Sequence, residues 1–309
     1  MWVTAVAIPP LTVGAVFRET RPQFLTLSVV LAIHGAAMAA WEGSFDWGLA
    51  ILALVGLAFL HAAVNVLNDW HDWSRTKIDY YTESTAFSGG SGMLPRGEIS
   101  TRAALVIGCA TLAVGVGIGL YLTKVCGWPV LALGVFGVGA VVLYTPVLAK
   151  LGIGEAITGV ALGSFPVVGT FYVLAGTITP AAWLSSIPAA IMTYNLLLVN
   201  EFPDADADIR GGRRHMVIVL GRTRAARLFA VLELGAFAIV VVGVIASVLP
   251  PWALLGLIGL PFAVKSIMIT WHNRANPPGM PPAQANHVMS TMALNFFLGV
   301  GYVITAFVG

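Results

Sequence analysis

The sequence predicts an all-α, polytopic membrane protein with nine transmembrane helices and its polar loops gathered on the cytoplasmic side. Three observations carry that reading. Of 309 residues, 58% are hydrophobic and only 10% are charged, with a mean hydropathy of +0.88. Soluble domains sit near half apolar and a quarter charged. Nine stretches are apolar over the roughly 20 residues that a spanning helix needs, and the basic residues segregate to one side of them.

The elements follow in chain order. Residues 1–21 form an N-terminal interfacial segment whose apolar part, 2–17, is short and broken by Pro9-Pro10. It has no basic n-region and no A-x-A-like site, so it does not read as a cleaved signal peptide. The first span, 22–41, is followed by the second, 47–67, which runs into a polar cluster at 65–79. Spans at 102–122, 128–147 and 153–175 are separated by brief connections. The sixth, 180–199, ends on a second polar cluster at 200–208. The last three are 225–248, 251–271 and 288–308. Residues 68–101 and 200–224 are the only extended polar stretches, and both fall on one side.

With nine spans, that side holds Arg18, Arg21, Arg75, Lys77, Arg96, Arg102, Lys150, Arg210, Arg213, Arg214, Arg222, Arg224, Arg227 and Arg274, which is 14 of the 16 basic residues. The other side holds Lys124, and Lys265 lies inside the eighth span. This bias places the N-terminus and the long loops in the cytoplasm, and the protein in the inner membrane. The chain reads as a single membrane domain over 1–309. The 34 glycines suit close helix packing, and a net charge of +2 does not suggest nucleic acid. Cys109 and Cys126 lack metal spacing and read as packing residues.

The two polar clusters share a geometry. The first runs Asn65, Asn68, Asp69, Asp72 and Asp79; the second, "NEFPDADAD", places Asn200, Asp204 and Asp208 at intervals of four, with Glu201 and Asp206 between them. On a helix, positions i and i+4 share a face, so Asn68 points with Asp72, and Asn200 with Asp204 and Asp208. If the second and sixth spans pack together, the two acidic faces look across a common cavity. Carboxylates at that density need a cation between them or raised pKa values. Oxygen-only ligands select a hard cation such as Mg²⁺, which shares its shell with phosphate. Arg75 and Lys77 follow the first cluster, and Arg210, Arg213 and Arg214 the second. Acids that hold metal, beside bases that hold phosphate, point to a diphosphate. Against this stand two plainer readings, solvated loops over helix ends and an ion pathway, but the acids sit at helix ends rather than mid-span. Glu233, inside the seventh span, reads as a core or lipid-interface residue.

These motifs, in this order, resemble the UbiA superfamily of intramembrane prenyltransferases. Its N-D-x-x-D motif with a following Asp is matched by Asn68, Asp69, Asp72 and Asp79, and its Asp-x-x-x-Asp repeat by Asp204 and Asp208. "NEFPDADADIRGGRRHMVIVLG" and "LGIGEAITGVALGSFPVVGTFYV" resemble the branch of 1,4-dihydroxy-2-naphthoate polyprenyltransferases, which serve menaquinone synthesis. The chain departs from that branch in lacking an Arg-rich run over 84–100, and in placing Arg213 at the usual Lys and His215 at the usual Thr. The resemblance implies helices around a central cavity that opens laterally to lipid. It implies Mg²⁺ as cofactor, held by Asn68, Asp72, Asp204 and Asp208, with Asn200 aligned to the branch's amide. Asp69 and Asp79 join the catalytic set, in the same shell or bracing the phosphate-binding bases.

The implied partners are a polyprenyl diphosphate, an aromatic acceptor such as dihydroxynaphthoate, and membrane lipid. Diphosphate binding falls to Lys77, Arg75, Arg213 and Arg214, then to Arg21, Arg96 and Lys150; the competing role for each is a lipid-headgroup contact. Tyr144 resembles an active-site tyrosine that orients the acceptor or shields a cation. Its alternative is the aromatic belt, which also accounts for Trp70 and Trp73. His71 is turned off the metal face, and His34 and His61 read as packed polar residues. The glycines of "SGGSGMLPRG" suit a mobile lid. Two other functions use the same features: a terpene cyclase, which would release diphosphate without an acceptor, and a transporter, which would show flux without turnover.

Overall fold

The computed structural model describes residues 11–81 and 87–308. Residues 1–10 of the N-terminal segment and 84–86 of the glycine-rich stretch lie outside the described residues. Helix α1 (Val13–Glu19) begins where Thr12 Oγ1 accepts the Ala15 N–H at 3.1 Å. Among the described residues, nine further helices are long and apolar enough to cross a membrane. They are α2 (Pro22–Trp41), α3 (Trp47–Thr76), α4 (Thr101–Cys126), α5 (Trp128–Leu151), α6 (Gly154–Ala175) and α7 (Pro180–Arg210), then, after the short α8 (Met216–Leu220), α9 (Arg222–Ile245), α10 (Pro251–Asn273) and α11 (Pro277–Val308). Their starts carry the expected signals. Asp46, Ser100 and Thr179 cap α3, α4 and α7 with side-chain acceptors, and proline occupies the first turn of α2, α5 and α7.

The spans read from hydropathy agree with these helices except where polarity masks their ends. Helices α3 and α7 have 30 and 31 residues, or about 45 Å at 1.5 Å per residue, against a hydrocarbon layer of about 30 Å. The surplus carries both acidic clusters out of the apolar zone while keeping them helical. Among the described residues three π-helical turns interrupt the ladder, at Asp72–Thr76, Tyr144–Leu148 and Gly159–Ser164. Such turns re-aim the side chains that follow them and recur at functional sites.

Helices α2 through α7 surround a cavity of about 340 Å³, and α9, α10 and α11 pack behind α7 and α2. Where α10 meets α11 only glycine fits: a Cβ on Gly301 would fall 2.2 Å from the Trp252 carbonyl oxygen. Leu31, Met38, Phe171, Leu294, Leu298 and Tyr302 fill the seam between α2, α6 and α11, each essentially inaccessible.

Of the two readings of Glu233, the core one holds and the lipid-interface one does not. It is fully buried and accepts from Asn195 Nδ2 at 2.9 Å, with His287 Nδ1 at 3.0 Å. A charge in a bundle interior is tolerable only with such partners. His34 is likewise packed, bonded to Asn295 and Ser185, and His61 pairs with Ser28. Glu233→Ala strips Asn195 and His287 of their acceptor and should cost about 3 kcal/mol. Thermal unfolding in detergent reads this out. Val231→Ala, on the exposed face of the same helix, should move the transition little, and equal shifts for both variants would contradict the assignment.

Candidate active site

The two acidic faces do look across one cavity. Asn68, Asp72 and Asp79 line it from α3 and the turn after it, and Asn200, Asp204 and Asp208 line it from α7. Arg213, in the bend between α7 and α8, clasps them. Its Nη2 donates to both carboxylate oxygens of Asp72, at 2.5 and 2.6 Å, and its Nη1 to Asp208 Oδ1 at 3.1 Å. Burial works against this charge, but Asp72 and Asp208 outweigh it and leave the guanidinium pKa raised. Asn68 Nδ2 donates to Thr145 Oγ1 at 2.7 Å, which turns the amide oxygen free of that bond. Burial first, then the charges of Asp72 and Asp69, push the Asp79 carboxyl up to about 7.

From this rim the cavity follows α3 from Asp72 to Ala53, a run of 19 residues or about 28 Å. Its walls below the rim are mainly apolar, with Leu57, Leu60, Leu122, Val130, Phe165 and Val173 among them, and His61, Thr170 and Thr193 as polar exceptions. Tyr144 lines the upper part, at the first residue of the π-turn in α5.

The expected basic residues divide sharply. Arg21 and Arg213 line the cavity; Arg75, Lys77, Arg96, Lys150 and Arg214 do not, and all five are exposed. The reason is local. The π-turn and the left-handed Lys77 (φ 62°) reverse the chain after Asp72, so Arg75 lies over the Trp70 ring and Lys77 over the Tyr80 ring. Arg96 pairs with Glu98 at 2.6 Å. Arg21 is also left-handed (φ 54°), a strained conformation for a non-glycine residue, and reaches Asp69 at 3.6 Å.

Of the two places read for Asp69, beside the metal or bracing a basic residue, it takes the second, against Arg21. One residue after Asn68 it points off the cavity face, and it accepts the Ser91 N–H at 2.7 Å instead. Gly90 (φ 71°) turns so closely over it that a Cβ there would sit 2.9 Å from Asp69 Oδ1. Ser91 Oγ donates to Glu19 Oε2 at 2.8 Å, and a side-chain hydrogen bond joins Ser88 to Asp204. The glycine-rich segment is thus tied to both clusters and to α1, and Phe87 to Gly90 form part of the cavity wall. Glu19 is fully buried; burial and the Asp69 charge push its carboxyl up to about 8.

Three residues at the site were given no role by the sequence, although two of them, Glu201 and His215, stand in its motifs. Glu155 and Glu201 line the cavity with His215. Their signals were present, Glu155 closing "LGIGE", Glu201 one residue after Asn200, and His215 at a departure from the branch pattern.

Comparison with known proteins bears on this geometry. The model of the UbiA prenyltransferase family matches residues 4–280. The chain belongs to that family. It is 26% identical over 291 residues to a 1,4-dihydroxy-2-naphthoate octaprenyltransferase of Bacillus subtilis, covering 93% of this chain and 92% of the relative. A digeranylgeranylglyceryl phosphate synthase of Natronomonas pharaonis is 30% identical over 233 residues, covering 73% of this chain and 76% of that one. A UbiA homologue from Archaeoglobus fulgidus, solved bound to GPP and Mg²⁺, shares the fold with a TM-score of 0.58 at 16% identity, covering 94% of this chain and 99% of that one. The protein is accordingly a multi-pass, intramembrane UbiA prenyltransferase.

The donor set of this UbiA protein fits a hard divalent cation. Every candidate is an oxygen ligand, and Asn200 Oδ1 is buried without a hydrogen-bond partner. Among the described residues no three His, Cys, Asp or Glu side chains converge tightly enough to enclose a metal by themselves. The acids stand on two walls, so a cation between them must complete its shell with other oxygens, as Mg²⁺ does with phosphate.

The buried Glu19 gives a pH test. The folded protein holds its proton up to about pH 8, whereas the ordinary carboxyl value is 4.5. Between those values the folded state binds the extra proton, so stability falls as pH rises. Glu19→Gln should flatten that fall and raise the unfolding temperature at pH 8. Superimposable pH profiles of the two proteins would contradict it.

Proposed function

We propose that this enzyme transfers a polyprenyl group from its diphosphate to an aromatic acceptor of the 1,4-dihydroxy-2-naphthoate type, with Mg²⁺, at the cytoplasmic face of the inner membrane. The observation that carries the reading is an ionic rim of two opposed acid faces, clasped by Arg213, at the mouth of a mainly apolar cavity that runs about 28 Å along α3 from rim to base. That is the shape of a charged head on a long hydrocarbon tail. Identity to the naphthoate enzyme along nearly the whole of both chains supports the acceptor.

In this account Asn68, Asp72, Asn200, Asp204 and Asp208 hold the metal, with Asp79 beside them. A bound Mg²⁺ would supply Lewis-acid stabilisation of charge on the diphosphate oxygens. Arg213 and Arg21 bind the diphosphate directly, and their fixed positive charge favours the electron pair that leaves with it when the allylic C–O bond breaks. The apolar walls exclude water that would otherwise capture the allylic cation, and the Tyr144 ring shields it. An electron-rich ring carbon of the acceptor then forms the new C–C bond, and the ring recovers its aromaticity by losing what that carbon carried, either a proton or the carboxyl group as CO2. Asp69 acts at one remove, holding the glycine-rich segment and Arg21. The exposed bases, Arg75, Lys77, Arg96, Lys150 and Arg214, face the headgroup region.

Purified protein given Mg²⁺, a polyprenyl diphosphate and 1,4-dihydroxy-2-naphthoate should release diphosphate and yield a prenylated arene by mass spectrometry. Asp72→Ala and Asp204→Ala should each lower turnover at least about 100-fold. Undiminished turnover in either would sink the metal assignment, and a prenylated glycerol phosphate in place of the arene would replace the acceptor.

A further inference from the structure

A second group of polar side chains faces the same cavity, and the metal and diphosphate chemistry makes no use of it. Glu155, in the first turn of α6, and Glu201, on α7, hydrogen-bond to each other through their carboxyls. Glu155 is pinned from behind, because its Oε1 also accepts the Met216 N–H at 2.6 Å. His215 stands beside them, with Nδ1 3.4 Å from Glu201 Oε2 and Nε2 3.2 Å from Asp208 Oδ2. Neither approach has hydrogen-bond geometry, so both ring nitrogens of this buried histidine lack a partner, as does Glu201 Oε2. All three residues line the cavity close to Tyr144, whose ring packs on Gly154 so tightly that a Cβ there would lie 3.3 Å from it.

Part of this arrangement braces the fold, since Glu155 closes the start of α8. Bracing accounts for Glu155 Oε1 and leaves Glu201 Oε2 and the imidazole unexplained. Buried polar atoms without partners are costly, and a group that pairs with them on binding recovers that cost. The chemistry of the set defines its ligand. A carboxyl pair repels an anion, so the diphosphate belongs to the Arg21 and Arg213 side. What suits Glu201 is a neutral hydrogen-bond donor, and what suits the slot beside the Tyr144 ring is a flat one.

We propose that Glu201, held by Glu155 and flanked by His215, is the acceptor-binding group, taking a hydrogen bond from a ring hydroxyl of an electron-rich arene held beside Tyr144. The proposal rests on the prenyl-transfer reading above and names its acceptor class: arenes with a free hydroxyl, as against arenes lacking one. The bond also fixes which ring carbon faces the allylic group. It explains why Glu201 carries a carboxyl on a wall where the helix around it needs none.

The test compares 1,4-dihydroxy-2-naphthoate with its mono-O-methyl ethers in the wild-type enzyme, Glu201→Met and Glu201→Gln. Wild type should prefer the free hydroxyl over at least one ether by about tenfold or more in kcat/KM, the loss expected when a buried acceptor goes unpaired. Glu201→Met should raise the acceptor KM and erase that preference, with the KM for the prenyl diphosphate within about twofold of wild type. Glu201→Gln keeps the shape and an acceptor oxygen and should restore part of the preference, so it carries the test if the Met variant does not fold. A preference unchanged in both variants overturns the proposal. So does a prenyl-diphosphate KM that rises in step with that of the acceptor, which would assign Glu201 to the cradle. Failure of wild type to bind a prenyl diphosphate with Mg²⁺ is a different result and would overturn the prenyl-transfer reading itself.

Discussion

Arg213 is the contact on which the site depends. Asp72 on α3 and Asp208 on α7 belong to two long helices whose ends would otherwise repel, and one guanidinium engages both, with a two-pronged grip on Asp72. The planar, permanently charged fork of arginine suits that task, where a lysine would offer a single point of charge. Fixing the distance between the two acid faces also fixes the mouth of the cavity. The glycine-rich segment then closes one side of the mouth, held by Asp69 from α3 and by Ser88 toward Asp204 on α7.

The rest of the bundle serves that mouth at a distance. Helices α2 to α7 enclose a mainly apolar trench that runs about 28 Å along α3, and α9 to α11 stand behind α7 and α2 as a buttress. The buttress carries its own buried polar knot, Glu233 with Asn195 and His287, which locks α7, α9 and α11 in register. A buried carboxyl there would be a liability if isolated; paired with Asn195 and His287 it becomes a specificity device for helix packing.

Much of this was legible in the sequence, because lipid imposes simple rules. Spans follow apolar length, and Asn68/Asp72 and Asn200/Asp204/Asp208 follow from helical phase. Phase alone also separates Asp69 from Asp72 and leaves it to brace a base, which it does against Arg21 from beneath Gly90 and Ser91. Arg75 and Lys77 were misplaced because a π-turn followed by a left-handed residue leaves no mark in hydropathy or charge. Arg21 stood low among the expected phosphate ligands for a similar reason, since only its own left-handed backbone brings it to the rim. The Glu155, Glu201 and His215 group joins three segments separated in sequence, and no spacing rule links them.

The central claim is that metal and diphosphate are bound together, by ligands on two walls that neither could satisfy alone. Calorimetric titration of the purified protein tests it most directly. Geranyl diphosphate should bind in the presence of Mg²⁺ and fail to bind measurably when the cation is chelated, and Mg²⁺ alone should give no stoichiometric binding. Equal diphosphate affinity with and without Mg²⁺, or a tight stoichiometric Mg²⁺ site in the absence of diphosphate, would contradict the account.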